Sequence, residues 1–289
     1  MYTYKKNLLP KNTIEILVTI SKDEINQNYQ KIFSILQKNL VIPGFRKGTV
    51  PKNIAEKNIK KQEVYEKLIN DLLPKIYNEI VKKEDINPIT APKVELINAK
   101  ENEDWQIKII IAQKPVIDLK NFKEIIKEIK ADHKKDEIWL PGKEQKIDEK
   151  EKEIKKQKLL NEILEALLKN ISCDISDLII EEELNQRLVN LFDEIKKIGL
   201  TVEAYLKSKN LTIDQLKTQY RKEIEDAYKL ELILLAIADK ENITVENSEL
   251  EKIFSNLKNE DDRKMAQNNS YFYASILRKQ KTLDYLISL

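Results

Sequence analysis

Residues 13–24 read Thr-Ile-Glu-Ile-Leu-Val-Thr-Ile-Ser-Lys-Asp-Glu, and this stretch decides the fold at the start of the chain. Apolar side chains occupy alternate positions from Ile14 to Ile20, which predicts a β-strand with one buried face. Ser21 and Glu24 have the spacing of a capping box, which marks the first turn of a helix. Apolar residues then recur at helical spacing as far as Leu40. The stretch therefore predicts a strand that leads directly into a long amphipathic helix.

A second long helix and two more strands are predicted before residue 118. Pro51 suits the first turn of a helix, and apolar residues at helical spacing predict a long helix near Glu63–Lys83, in which Pro74 would favour a kink. Lys93–Asn98 and Trp105–Gln113 show the alternation of strands. The order strand, helix, helix, strand, strand indicates an α+β domain over residues 1–118, with two long helices on one face of a small antiparallel sheet.

The second half of the chain has a different composition. The last of the eight prolines is Pro141, so residues 142–289 are expected to be almost entirely helical. Net charge changes as well, from positive over residues 1–117 to negative over residues 118–289. We expect a connector over residues 119–147 and an irregular all-α domain over residues 148–289. Its helices are expected near 148–170, 177–198 closed by Gly199, 202–209, 213–241 with a capping box at Thr212, 246–257 and 271–288.

Composition excludes several classes of enzyme. With only 4 glycines among 289 residues, the chain holds neither of the glycine-rich phosphate-binding patterns. One histidine, His133, excludes sites with several histidine ligands to a metal, and one cysteine, Cys173, excludes an intramolecular disulfide. Both are better explained as structural residues than as a catalytic pair, because no third group is placed to orient them. No cofactor or metal is expected, no apolar run is long enough to cross a membrane, and the cytoplasm is the expected compartment.

The sequence Pro43-Gly44-Phe45-Arg46-Lys47-Gly48 joins the two predicted long helices. Two glycines that permit tight turns enclose one aromatic and two basic residues. Between residues 43 and 61 there are six basic residues and a single acidic one. A solvated basic turn with the phenylalanine folded back is one interpretation. A docking loop that binds phosphates or carboxylates is the other.

Residues 44–51, Gly-Phe-Arg-Lys-Gly-Thr-Val-Pro, resemble the ribosome-binding signature of the trigger factor family of bacterial chaperones. The segment near Ile86-Asn87-Pro88 and the helices after Asp148 are also similar to that family. The resemblance implies an ATP-independent chaperone that docks at the ribosomal tunnel exit, on a ribosomal protein and adjacent rRNA. It also implies that nascent and unfolded polypeptides are partners. The ribosome-binding residues that it implies are Gly44, Phe45, Arg46, Lys47, Gly48 and Pro51.

One departure from the family bears on enzymatic activity. Trigger factors carry a peptidyl-prolyl isomerase domain between their two ends, and the 29-residue connector cannot contain one. We therefore expect a protein that is not an enzyme, with Trp139-Leu140-Pro141-Gly142 as native linker or splice. Two alternatives stay open, namely a prolyl isomerase by family membership and a ribosome- or RNA-binding structural protein without chaperone activity.

Client binding is harder to place from the sequence. A chaperone needs accessible apolar side chains, and the helical domain offers many. The predicted client-binding residues are Val189, Phe192 and Ile195 on one helix and Leu277 on the last. The aromatic run Tyr271-Phe272-Tyr273 is more typical of packing than of binding. A homodimer is left open.

Overall fold

The computed structural model describes residues 2–136, 149–257 and 259–289. The chain divides into two compact units. The first runs as far as Lys114 and includes Ser176–Glu181, and the second comprises Pro115–Ile175 and Glu182–Leu289.

The first unit contains a four-stranded antiparallel sheet. Its strands are β1 (Tyr2–Leu9), β2 (Thr13–Ile20), β3 (Lys93–Asn98) and β4 (Trp105–Ala112), in the spatial order β1-β2-β4-β3. The three strands predicted from alternation are confirmed, and β1 is an addition. β3 carries an irregularity in register between Leu96 and Asn98, so its regular pairing with β4 ends at Leu96. The two edges of the sheet are therefore β1 and β3.

Helices α1 (Lys22–Asn39), α2 (Lys52–Asn58) and α3 (Lys61–Lys83) complete the first unit. The Ser21 hydroxyl accepts a hydrogen bond from the Glu24 amide, which caps α1 as its sequence predicts. Pro74 lies inside α3. One face of the sheet shares a core with these helices, and the predicted α+β fold is confirmed. The buried residues of this core include Ile16, Ile109, Phe33, Val64, Leu68 and Ile80.

The second unit is helical, as predicted. Gly199, with φ +75°, follows α6, and the Leu200 amide donates to the Ile195 carbonyl, which is the expected C-terminal cap. Thr212 and Gln215 form the expected capping box. The helices are α4 (Phe122–Asp136), α5 (Glu149–Asn170), α6 (Asp177–Lys197), α7 (Val202–Ser208), α8 (Ile213–Lys240), α9 (Asn247–Ser255), α10 (Glu260–Asn268) and α11 (Ser270–Ser288).

Helix α4 lies within the segment predicted as a connector. Its Phe122 and Ile126 are buried in a core shared with residues of α5, α8 and α11. The Lys123 ammonium donates to the Glu241 carboxylate at 2.8 Å, and the Tyr285 hydroxyl donates to the same carboxylate. These two bonds, that from Lys123 first, lower the pKa of Glu241. Residues 122–136 are thus helical and anchored in the second unit, while Trp139-Leu140-Pro141-Gly142 lies outside the described residues.

A smaller core joins α9, α10 and α11 around Leu250, Phe254 and Ala266. The Arg263 guanidinium donates to the carbonyls of Phe254 and Leu257 and so satisfies the C-terminal end of α9. The Tyr273 ring packs edge-on against Phe254, with centroids 5.5 Å apart. The start of α11 is therefore held by the packing of Tyr273 against Phe254 of α9.

Candidate functional site

Two consecutive tight turns shape the loop between α1 and α2. The Phe45 amide donates to the Ile42 carbonyl at 3.1 Å, and Gly44 occupies the third position of that turn with φ +90°. The Thr49 amide donates to the Arg46 carbonyl at 3.0 Å, and Gly48 occupies the third position with φ +85°. A third residue with positive φ identifies type II turns, which favour glycine there. The spacing of the two glycines is thus the spacing of the two turns.

The base of the loop is held by the helices on either side of it. The Gln37 side-chain amide donates to the Val50 carbonyl at 2.8 Å, and the Val50 side chain is buried. Pro51 stands at the N-cap of α2 in an extended conformation, one position before the first helical residue. Gly44–Gly48, which we name the Gly44–Gly48 loop, projects from this base, and all five of its residues are exposed.

The side chains of the loop present one aromatic ring and two cations. Phe45 is 37% exposed, so its ring is only partly covered by the protein. Arg46 and Lys47 form no ion pair with any residue that the structure describes. Lys52 and Lys61 in the same segment are paired instead, with Glu56 and Glu101. The loop tip therefore holds uncompensated positive charge beside an apolar surface, which suits a partner that offers carboxylates or phosphates around a small apolar pocket.

Val41 is a feature of this site that sequence reasoning missed. It is 71% exposed and directly follows the C-cap of α1. The helical periodicity ends at Leu40, so no pattern marked the next residue as either core or surface. The structure adds a second exposed apolar side chain to the segment that contains Phe45.

Replacing Gly48 by alanine is expected to destabilise the loop. A Cβ at Gly48 would meet the Lys38 carbonyl oxygen at 3.8 Å, an ordinary contact, so the cost arises from the backbone conformation alone. We expect the free energy of unfolding to fall by about 1–2 kcal/mol in urea denaturation. Lys47→Ala, at an exposed position with negative φ, is the matched control and should change it by less than about 0.5 kcal/mol. A Gly48→Ala variant as stable as the wild type would contradict the strained turn.

The predicted client-binding residues occupy different environments. Val189 is 53% exposed on α6, and Phe192 is half-buried one turn later. Ile195 is only 2% exposed, so it belongs to the core and is not accessible to a client in this conformation. Leu277 is half-buried and packs against the small core of α9–α11.

Within the described ranges, the most exposed aromatic side chains lie at the start of α11. Tyr271 is 89% exposed and Phe272 is 60% exposed, whereas the sequence favoured packing for this run. Tyr273 does pack, and its ring meets Phe272 edge-on at 5.7 Å. Phe272 and Ile276 are four residues apart and share one side of the helix. We name the exposed apolar residues Met265, Tyr271, Phe272 and Ile276 the α10–α11 apolar surface.

Family models account for nearly the whole chain. The model described as bacterial trigger factor protein matches residues 1–140, and the model described as bacterial trigger factor protein C-terminus matches residues 143–287. The chain belongs to the bacterial trigger factor family. The Gly44–Gly48 loop lies within the part that the first trigger factor model covers, and the α10–α11 apolar surface lies within the second.

Curated trigger factors match the chain to different extents. That of Carboxydothermus hydrogenoformans is 21% identical, with 98% of each chain covered. That of Lactiplantibacillus plantarum is 32% identical, over 39% of this chain and 26% of its own length. Trigger factors of Streptococcus pneumoniae are 28% identical over 56% of this chain and 35% of theirs. A solved structure from work on promiscuous substrate recognition by the trigger factor chaperone shares the fold, with 15% identity, a TM-score of 0.64 and 99% of both chains covered.

The isomerase domain of trigger factors is absent from this chain. The two trigger factor models adjoin, separated only by residues 141 and 142. The alignment with the Carboxydothermus protein spans 418 positions, while the chain has 289 residues, so a long stretch of that relative has no counterpart here. The departure from the family that the connector length predicted is therefore confirmed.

The remaining candidate residues of the sequence form no site in the part of the chain that the structure describes. Cys173 is buried, and burial raises the pKa of its thiol, which makes it a poor nucleophile. His133 lies on α4, and its side chain is outside the described part of the structure. Among the described residues, acidic, histidine and cysteine side chains form no group that could hold a metal ion, and none of the helices has the length and apolar character of a membrane span.

Proposed function

We propose that this member of the trigger factor family is an ATP-independent chaperone that docks at the ribosomal tunnel exit and holds nascent or unfolded chains. The observation that carries the proposal is the Gly44–Gly48 loop, which presents Phe45 between two tight turns, with the exposed cations Arg46 and Lys47 beside it. Family membership directs this chemistry toward the ribosome. Phe45 would enter a small apolar pocket of a ribosomal protein, and the two cations would bind carboxylates there or phosphates of adjacent rRNA.

Holding of unfolded chains is assigned to the helical unit. Its α10–α11 apolar surface and Val189 expose apolar side chains, and Phe192 is half-buried beside Val189 on α6. Unfolded polypeptides expose apolar segments that folded ones bury, so such surfaces bind them preferentially and delay aggregation. No nucleotide is required for this mechanism. We further propose that the protein acts in the cytoplasm and is not an enzyme, since the family's isomerase domain is absent.

The test of holding is a double substitution at the α10–α11 apolar surface. Tyr271→Ser/Phe272→Ser alters two exposed side chains, so the fold is expected to survive. In a light-scattering assay with a denatured client diluted without ribosomes, the concentration for half-suppression of aggregation should rise about tenfold, which corresponds to a loss of about 1.4 kcal/mol.

Val116→Ser is the matched control, because Val116 is 99% exposed and its replacement removes an apolar side chain that is not one of the four residues of this surface. It should suppress aggregation as well as the wild type does. A wild-type protein that sediments with ribosomes but suppresses no aggregation would instead support the alternative of a ribosome- or RNA-binding structural protein.

A further inference from the structure

The two edge strands of the sheet are both open along their outer sides. Among the described residues, no backbone hydrogen bond joins β1 or β3 to any segment beyond their neighbours β2 and β4. An open edge presents unpaired N–H and C=O groups at the spacing of a strand, and these can pair with another extended chain. The two edges differ in the side chains that flank them.

On β1, inward-facing side chains contact α3 and the residue at its C-cap, Glu84. The Tyr2 hydroxyl donates to Glu79 at 2.8 Å, and the Tyr4 hydroxyl donates to Glu84 at 2.6 Å. Lys6 also pairs with Glu84, at 3.2 Å. Helix α3 therefore covers the inner face of this edge, and charged side chains lie along it. Both a covering helix and charged edge residues discourage the addition of another strand.

Edge β3 has an uncovered apolar row on its inner face. Val94 and Leu96 lie opposite Ile109 and Ile107 of β4, which are almost completely buried. Val94 is nevertheless 38% exposed and Leu96 is 49% exposed. The core row of the sheet thus continues to the edge and ends there uncovered, so a further strand beside β3 would extend that row.

The outer face of the same edge carries a small positive charge. The Glu95 carboxylate accepts from Lys93 at 2.9 Å and from Lys108 at 2.5 Å. Two cations around one carboxylate lower the pKa of Glu95, with Lys108 as the larger cause, and leave this row with a net positive charge. In an added strand, acidic or polar side chains would be favoured on this outer face, and apolar side chains would be favoured on the inner face.

We propose that edge β3 binds an extended segment of a client polypeptide as a fifth strand, with apolar residues at alternate positions and acidic or polar residues between them. The inference rests on the proposed holding function, because the unfolded chains that such a chaperone binds have backbone N–H and C=O groups free to pair with an edge strand. A second copy of β3 fits less well, because antiparallel pairing would place two net positive rows on the same face. The irregularity at Leu96 and Asn98 limits regular pairing to about four residues, so binding is weak and reversible.

The experiment measures the affinity of the full chain for a short fluorescent peptide that alternates Val or Ile with Glu or Thr. By fluorescence anisotropy, Val94→Lys/Leu96→Lys should bind about tenfold more weakly, because edge lysines oppose strand addition. Leu8→Lys, at an exposed position of β1, is the matched control and should leave the affinity unchanged. Val94→Thr/Leu96→Thr is the second variant, used in case the double lysine variant unfolds. Threonine is compatible with a strand but removes apolar surface, so this variant should also bind the peptide more weakly.

Backbone pairing is tested by N-methylation of the peptide. In an extended peptide, alternate backbone amides point to opposite edges, so only one set can pair with β3. N-methylation of that set should abolish binding, while N-methylation of the other set should leave binding unchanged. Equal binding of both peptides, or an unchanged affinity of both β3 variants, would overturn the proposal. If the wild type is a dimer that the β3 variants dissociate, and no peptide binds, the occupant is a second copy and the proposal is wrong.

Aggregation suppression and peptide binding, measured on the same wild-type and β3-variant proteins, distinguish failure of this inference from failure of the proposed function. A wild type that suppresses no client aggregation would overturn the holding function, whatever the peptide does. Suppression that persists together with an unchanged peptide affinity in the β3 variants would overturn the edge proposal alone.

Discussion

Replacing Phe45, Arg46 and Lys47 together by alanine is expected to abolish co-sedimentation with ribosomes at physiological salt, while suppression of aggregation without ribosomes survives. Burial of a phenylalanine side chain contributes about 1.5–3 kcal/mol to binding, and two charge-assisted contacts add to it. We therefore expect the affinity to fall by about a hundredfold or more. All three side chains are exposed, and Arg46 and Lys47 have no ion pair within the described part of the chain, so the free energy of unfolding should change little.

The control for this variant removes charge without altering the loop. Lys57→Ala/Lys60→Ala deletes two exposed cations from the segment around α2. If docking requires the Gly44–Gly48 loop, this control should weaken sedimentation only moderately and mainly through its salt dependence. Undiminished sedimentation of the triple alanine variant would show that the ribosome is bound elsewhere.

Replacing Phe122 by alanine is expected to lower the free energy of unfolding of the second unit by about 3–5 kcal/mol. Phe122 is 1% exposed, among buried residues that include Ile163, Leu167 and Ile237. Removal of its ring would leave a cavity in a close-packed core, and urea denaturation followed by circular dichroism measures the loss.

Lys127→Ala, on the exposed side of the same helix, is the matched control and should change stability by less than about 0.5 kcal/mol. A loss below about 1 kcal/mol for Phe122→Ala would instead favour a connector that contributes no core. The experiment thus tests the domain boundaries predicted at residues 118 and 147, since it asks where the helical unit begins.

Regular periodicity is what made much of the first unit predictable. Ile14 to Ile20 alternate without interruption, and the structure buries that row on one face of the sheet. Strand β1 lacked this signal, because its inward residues Tyr2, Tyr4 and Lys6 are amphipathic. Their polar ends donate to two glutamates, one in α3 and one at its C-cap. Only the paired sheet and its covering helix show that these residues face inward.

The residues proposed for client binding were less predictable from the sequence, for a physical reason. Val189 and Ile195 lie on one helix and are both β-branched, yet one is 53% exposed and the other 2% exposed. Helical spacing identifies apolar positions, but the number of neighbouring helices that cover them is a tertiary property. Tyr271 and Phe272 show the converse, since adjacent Tyr273 takes the place against Phe254 and leaves them outside. In the Gly44–Gly48 loop the signal was local, because each turn requires a glycine at positive φ.

The two type II turns also bear on how fast the proposed docking at the ribosome would be. Their hydrogen bonds fix the backbone of the loop before any partner arrives, so little conformational entropy of the main chain is left to lose on association. A preformed tip with exposed cations needs no rearrangement step, and its association rate is set by diffusion and long-range attraction to a negatively charged surface. Cycling on and off the ribosome should therefore be fast and sensitive to ionic strength, with the residence time governed by the Phe45 contact.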